Sequence, residues 1–249
     1  MYRIWPVADP APVDDAGLID LYRPAGPLLR ANFVTSVDGA VEVEGYSAGL
    51  QTPADQRIFQ LLRMFAEGLM VGAGTLRQEG YVGIRLDGKR RAWRAEHGLD
   101  PYPRLIVVSR RLDLAPTNPA LTEAPVRPAI LTAADSPPDR RTALSAVADV
   151  LVHGEREVDL AAGLAQQRAG GLAHVLCEGG PHLFGALTAA DLVDEVCLTV
   201  APMLAGPGAG RITAGPASPL RGLTLASALT DDGTLLLRYA RNAQMTMGD

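Results

Sequence analysis

Cysteine is nearly absent from this chain: Cys177 and Cys197 are the only two among 249 residues. Neither belongs to a Cys-x-x-Cys pair, which argues against a thiolate zinc site and a disulfide framework. Both sit in apolar, strand-like runs, where a buried free thiol is the expectation. Histidine is scarce as well, and His97, His153, His174 and His182 share no metal-ligand spacing, so no metal is expected. No apolar run approaches the ~20 residues of a membrane helix. The first thirty residues lack the apolar core of a secretory signal. There is no excess of basic charge either: a net charge of −5 argues against coating nucleic acid. Repeats at periods of roughly 20–50 residues and low-complexity tracts are missing too. Yet 47% of the residues are apolar and 20% charged, which excludes a disordered chain. These absences leave a cytoplasmic globular protein acting on a small molecule, with no nucleic-acid or membrane partner.

What is present alternates strand-like and helix-like segments. Residues 1–27 are proline-rich with little periodicity and are expected to form an N-terminal arm on the surface; residues 28–249 form a single domain. Leu28 to Val37 reads as a first apolar strand. Thr52, Pro53 and Asp55 open a helix, with a Thr cap, Pro at the first helical position and an acid in the first turn. The helix runs to about Ala66 with Ile58, Leu61, Leu62 and Phe65 on one face. Further strands are expected at Gly68–Gly72, Leu105–Val108, Ala129–Thr132, Val150–Val152, His174–Cys177 and Glu195–Val200. Asp159 caps a helix that stops at Gly170–Gly171, and residues 82–103 read as polar and irregular. The end reads as a hairpin, Leu223–Leu229 and Leu235–Tyr239, around Asp231, Asp232 and Gly233. The expectation is an α/β, three-layer domain with a mostly parallel central sheet and an antiparallel C-terminal hairpin.

Ligands of open α/β sheets bind beyond the carboxyl ends of the strands. Three ends here carry unusual chemistry. At Gly72-Ala73-Gly74-Thr75, glycines allow backbone to approach a phosphate and a following helix offers bare N–H groups; a tight turn with no ligand explains the same residues. At Glu178-Gly179-Gly180-Pro181-His182 the same logic recurs, and Glu178 suits a neutral donor such as a ribose hydroxyl or ring N–H. Ser109-Arg110-Arg111 suits a 2′-phosphate, the group that separates NADP from NAD; a basic turn is the alternative. Other patterns lead nowhere. His153-Gly154-Glu155 lacks the Pro-Cys-x-x-Cys of a zinc deaminase. Gly45-Tyr46-Ser47-Ala48-Gly49 is not set between a strand and a helix as a nucleophile elbow requires.

The ordered set Thr35-Ser36-Val37-Asp38-Gly39, Ser47, Leu61-Leu62-Arg63, Val71-Gly72-Ala73-Gly74-Thr75, Leu105 to Ser109, Cys177 to Pro181, and Asp194-Glu195 through Val200-Ala201-Pro202 to Leu204 and Gly206 resembles a known family. It is similar to the reductase half of the bifunctional deaminase–reductases of riboflavin biosynthesis and their stand-alone relatives. The resemblance implies a dihydrofolate-reductase-like fold, NADPH as cofactor and a homodimer. It also implies hydride transfer that opens the ribose ring of an aminouracil ribosyl phosphate, as in a 5-amino-6-(5-phosphoribosylamino)uracil reductase. Carried over by position, Thr75, Ser109 and the stretch from Gly180 to Ala186, with Pro181, His182, Leu183 and Phe184, contact the cofactor; this agrees with the strand-end reading, in which Gly72, Gly74 and Gly179 also approach it and Arg110 and Arg111 stand beside the 2′-phosphate. Ser47, Arg63, Arg85 and Glu178 contact substrate, Arg63 as a two-pronged cation for its phosphate. Asp38 and Glu79 are expected to frame the nicotinamide–substrate junction as catalytic residues. The chain departs from the family pattern at Asn32 and Ala40, where cations are usual, and at Glu79-Gly80-Tyr81, where Asp and then Asp-Pro are usual. These departures keep two further readings open: a dihydrofolate or other pteridine reductase, and a non-catalytic NADP-binding protein.

Overall fold

A computed structural model describes residues 1–241, so residues 242–249 of the expected domain lie outside the described residues. In chain order, β1 (Tyr2–Trp5) and α1 (Asp15–Tyr22) precede β2 (Leu28–Ser36). A single 3-10 turn at Ser47–Leu50 leads into α2 (Pro53–Phe65), β3 (Gly68–Gly72), α3 (Ala73–Gln78) and α4 (Gly88–Glu96). There follow β4 (Arg104–Val108), α5 (Pro119–Thr122), β5 (Ala129–Thr132), α6 (Pro138–Ser145) and β6 (Asp149–Val152). The chain then forms α7 (Leu160–Ala169), β7 (His174–Cys177), α8 (Pro181–Ala189), β8 (Glu195–Ala201), β9 (Leu223–Asp231) and β10 (Thr234–Arg241).

All ten strands among the described residues share one sheet in the order β1-β9-β10-β8-β2-β7-β3-β4-β5-β6. From β8 to β6 every pairing is parallel, while β10, β9 and β1 extend that edge in antiparallel fashion. This is the expected mixed sheet with its C-terminal hairpin. Period-two alternation splits each central strand between two cores. Leu69 and Val71 of β3 face α3, α5 and α6, whereas Met70 faces α7 and α8. Leu176 of β7 faces α1 and α2, while its neighbours Val175 and Cys177 face the other way. The two thiols are free and buried, and burial pushes them up to about 12 at Cys177 and about 11 at Cys197.

Two expectations change. Residues 1–27 are built into the domain: β1 pairs with β9, and Leu18 and Tyr22 of α1 enter the core. Residues 82–103 are not irregular throughout, because Asp87 accepts the Arg90 N–H and caps α4. Arg94 on that helix is 1% exposed and donates to the carbonyls of Met64, Ala66 and Asp100. Desolvation lowers its guanidinium to about 10.

The lengths of neighbouring strands create the site. The last residue of β7, Cys177, pairs with Ala31 of β2 and Met70 of β3. Strand β2 runs five residues beyond Ala31, to Ser36, and β3 two beyond Met70, to Gly72. A notch therefore opens in the sheet where β7 stops, at the point where the strand order reverses.

Candidate active site

The notch is the floor of a cavity of about 510 Å³, within the range of small-molecule sites. Asn32, Phe33 and Val34 line it, from the part of β2 that still pairs with β8 but runs beyond the end of β7. Helix α2 supplies a stripe at i, i+4, i+8: Asp55, Phe59 and Arg63. The opposite wall is Thr75, Gly180 and Pro181, and the segment after α3 adds Glu79, Tyr81 and Arg85.

The first two of the anticipated strand ends meet directly. The Gly72 N–H donates to the Gly179 carbonyl at 2.8 Å, and the Glu178 N–H donates to the Met70 carbonyl at 2.9 Å. The third lies next in the sheet, since Gly72 pairs with Val108, the residue before Ser109. The peptide between Gly179 and Gly180 is cis. A side chain at Gly180 would overlap the Thr75 hydroxyl, so glycine there lets that hydroxyl keep its place between the two bends. Helices α1, α2, α4, α5 and α7 have their first turns capped by Asp, Thr or Asn side chains. Helices α3 and α8 begin at Gly72 and Gly180 with no side-chain acceptor. Their first-turn amides are left at the same end of the sheet, beyond the carboxyl ends of β3 and β7, which fits the anionic groups of a nicotinamide dinucleotide.

Several residues sit differently from expectation. Asp38 is exposed and is not among the cavity-lining residues. It accepts from the Ser36 hydroxyl and from the amides of Ala205 and Gly206, and these bonds hold its carboxyl down at about 2. It fastens the 203–206 loop and cannot store a proton for catalysis near neutral pH. Arg63 does not present its two-pronged edge to a phosphate. Its Nε and Nη2 donate to Glu178 at 2.6 and 2.7 Å, and the Tyr81 hydroxyl donates to the same carboxylate at 2.7 Å. Glu178 is therefore engaged by a cation rather than waiting for a neutral donor, and its side chain is only 3% exposed. Burial acts against the Arg63 charge, but Glu178 more than restores it and holds the guanidinium above its ordinary value. Burial, with Glu178 beside it, drives Tyr81 well above a free phenol. Leu183 and Phe184 turn their side chains into the core, Phe184 against Phe33 with ring centroids 4.8 Å apart, leaving only backbone to meet a cofactor. Arg110 is exposed and paired with Glu157 at 2.6 Å; Arg111 and His182 are exposed. Gly72, Gly74, Gly179, Ser109, Arg110 and Arg111 lie outside the cavity wall. Glu79 and Ser47 do line the cavity, tied by a Ser47 N–H to Glu79 carboxylate bond of 3.0 Å. Arg85 is at the rim, donating weakly to the Glu123 carbonyl at 3.3 Å.

Sequence reasoning did not anticipate Asp55, Phe59 and Tyr81 as cavity residues. The four-residue spacing from Asp55 to Arg63 was the available signal for the first two.

The family model described as the RibD C-terminal domain matches residues 27–237. The chain belongs to that family. It is 28% identical over 181 residues to the 2,5-diamino-6-ribosylamino-4(3H)-pyrimidinone 5′-phosphate reductase of Archaeoglobus fulgidus, covering 72% of this chain and 82% of that one. The protein of the same description from Methanothermobacter thermautotrophicus is 27% identical over 181 residues, covering 72% of this chain and 80% of that one. Among solved structures, a pyrimidine reductase-like protein from Corynebacterium diphtheriae superposes with a TM-score of 0.77 at 23% identity, covering 88% of this chain and 93% of that chain. For this family member, that superposition speaks to the fold, and the expected α/β architecture is borne out.

Proposed function

We propose that this chain is an NADPH-dependent reductase of riboflavin biosynthesis that acts on a pyrimidine ribosyl phosphate. Membership of the RibD C-terminal domain family and curated relatives that are reductases support an oxidoreductase. The observation that carries the rest is the notch itself: two uncapped glycine-led helices on one wall, and an aromatic and charged wall facing them.

In this reading the amides after Gly72 and Gly180 hold the pyrophosphate and ribose groups of the cofactor, with the Thr75 hydroxyl beside them. Ser109 with Arg110 and Arg111 meets the 2′-phosphate. NADPH, when bound, supplies a hydride. The substrate's ring-opened imine gains that hydride at the ribose carbon and a proton at nitrogen, leaving the ribityl amine. Glu79, which lines the cavity, stands at the reacting junction and is the acid, directly or through water, that serves the proton. Phe33, Phe59 and Tyr81 offer apolar faces for a planar ring, and Arg85 at the rim takes the phosphate now that Arg63 is committed to Glu178. A homodimer in the cytoplasm completes the reading.

The test is loss of NADPH absorbance with the diaminopyrimidinone ribosyl phosphate, the aminouracil analogue and dihydrofolate in parallel. Turnover of either pyrimidine is expected. Turnover of dihydrofolate alone would make the chain a pteridine reductase. Binding of NADPH with no turnover of any of the three would leave a non-catalytic NADP-binding protein.

A further inference from the structure

Strand β8 ends at Ala201 and β9 begins at Leu223. The long segment between them is tied down on both sides of the cavity. At its start the Ala205 and Gly206 amides donate to Asp38 at 3.2 and 2.8 Å, and the Met203 carbonyl accepts the Val37 N–H at 2.9 Å. Further on, the Ala214 N–H donates to the Pro181 carbonyl at 3.0 Å, and the Ala214 carbonyl lies where a side chain at Gly185 would stand. Ile212 packs on the core that holds Leu183, Phe184 and Leu187 of α8. Between these tethers a Cβ at Gly210 would stand 3.8 Å from the Val41 side chain. Val41 and Pro181 both line the cavity. Residues 210–214 therefore form a strap that passes from one lining residue to another and ends on the first turn of α8.

Arg211 sits in that strap. It is exposed and forms no hydrogen bond or ion pair among the described residues. The cations that follow it behave differently: Arg221 and Arg241 both pair with Asp191 at the far end of α8. A free guanidinium held three residues from the start of a helix whose first-turn amides lack a side-chain acceptor adds its charge and its fork of donors to that helix end. We propose that Arg211 is a further cofactor-binding residue, carried by the strap, which donates to the linking phosphates of the dinucleotide seated at the start of α8. This deepens the reductase reading and rests on it. The strap then does two things: its backbone braces α8 through Ala214, and its one cation closes over the anion that the α8 amides hold from below.

Two other partners compete for Arg211. Glu42 follows Val41, lines the cavity and has no cation among the described residues, so it is the acid that Arg211 would meet if it only braced the strap. The substrate phosphate is the other source of the same chemistry. The tether decides for the cofactor: Pro181 is the first residue of α8 and follows Gly180, where the dinucleotide phosphates are placed, whereas the substrate phosphate is given to Arg85 in the segment after α3.

The experiment titrates NADPH, by its fluorescence, into the full chain and into Arg211→Ala, Arg211→Lys and Glu42→Gln, and measures how well inorganic pyrophosphate displaces it. The Arg211 side chain holds nothing in the fold, so its variants should fold as the unmodified protein does. Arg211→Ala should weaken NADPH roughly 10- to 100-fold, the range of a hydrogen bond to a charged group, and Arg211→Lys should recover part of the loss. Glu42→Gln should leave NADPH affinity equal or better. Added salt should weaken NADPH binding less in Arg211→Ala than in the unmodified protein, and pyrophosphate should displace NADPH less well from the variant. NADPH and pyrophosphate affinities unchanged in Arg211→Ala, or an equal loss in Glu42→Gln, would overturn the assignment. So would a rise in KM for the pyrimidine ribosyl phosphate, absent for its dephosphorylated nucleoside, with NADPH affinity unmoved; Arg211 would then belong to the substrate. NADPH binding weakened by Arg211→Ala in a protein that reduces none of the pyrimidines would keep Arg211 and remove the reductase. Pyrimidine turnover with NADPH affinity indifferent to Arg211→Ala would do the reverse.

Discussion

Arg63 and Glu178 meet edge to edge across the cavity wall, Nε to Oε1 at 2.6 Å and Nη2 to Oε2 at 2.7 Å. Their side chains are 15% and 3% exposed. Each is tolerable there only because of the other, since a lone buried charge loses its hydration without compensation. Arg63→Ala should destabilise the protein by about 3–5 kcal/mol. The double replacement Arg63→Met with Glu178→Gln removes both charges and should cost distinctly less than the single change. Urea unfolding of the three proteins decides it. Equal losses in the single and double variants would mean that packing, not charge, dominates.

Asp38 makes a contrasting case. Its carboxyl is held at about 2 by the Ser36 hydroxyl and then by the Ala205 and Gly206 amides, against an ordinary value of 3.8. A group with a depressed native pKa lends stability above its unfolded pKa and loses it as pH falls towards the native one. Asp38→Asn should therefore flatten the stability profile between pH 3.8 and about 2 and leave the acid limb of the rate profile in place. A shift of that limb in Asp38→Asn would restore the residue to the chemistry.

The contact between Thr75 and Gly180 gives a third expectation. A methyl group at Gly180 would drive the Thr75 hydroxyl out of its place. Gly180→Ala should weaken NADPH binding by about tenfold, in the range of one lost hydrogen bond. Thr75→Val should do the same. The two changes should not add in the double variant, because both remove one hydroxyl from one position. Additive losses by fluorescence titration would assign the two residues separate roles.

Much of this arrangement was legible beforehand, and the exceptions share a cause. Strand ends at Gly72, Val108 and Cys177 follow from local patterns: short apolar runs closed by glycine or by a polar turn. Their adjacency follows from the parallel topology. What local pattern does not carry is which charged side chain is inside. Arg94 lies in a run with Lys89, Arg90 and Arg91 that reads as solvated, yet three carbonyls collect around it once α4 crosses the end of α2. Arg63 reads as a free cation because Glu178 is 115 residues away in the chain. Asp55 reads as an ordinary first-turn acid of a capped helix. That β2 outruns β7, so that its neighbourhood is a cavity, is a fact of pairing register and not of any one segment.

The basic corner after β4 bears on cofactor choice. Arg110 is held by Glu157 at 2.6 Å in an exposed pair, and such pairs are weak enough to exchange for a phosphate. NADPH should bind more tightly than NADH. Replacing Arg110 and Arg111 together with Ala should narrow that gap, and raising salt should narrow it in the unmodified protein as well. Equal dissociation constants for both cofactors in the unmodified protein would remove this corner from the site.

Asp55 also predicts a stability effect opposite in sign to that of Asp38. Burial raises its native pKa above the unfolded value of 3.8, and the Thr199 contact only partly offsets this. The native state then holds a proton that the unfolded chain has released, so stability falls as pH rises from about the unfolded pKa through the native one. Each pH unit by which the native value exceeds the unfolded one is worth ~1.4 kcal/mol. Asp55→Asn cannot release that proton, so its stability relative to the unmodified protein should climb across this window and then level off. Melting temperatures of both proteins at a series of pH values provide the comparison. A flat difference would show that Asp55 titrates alike in the native and the unfolded chain.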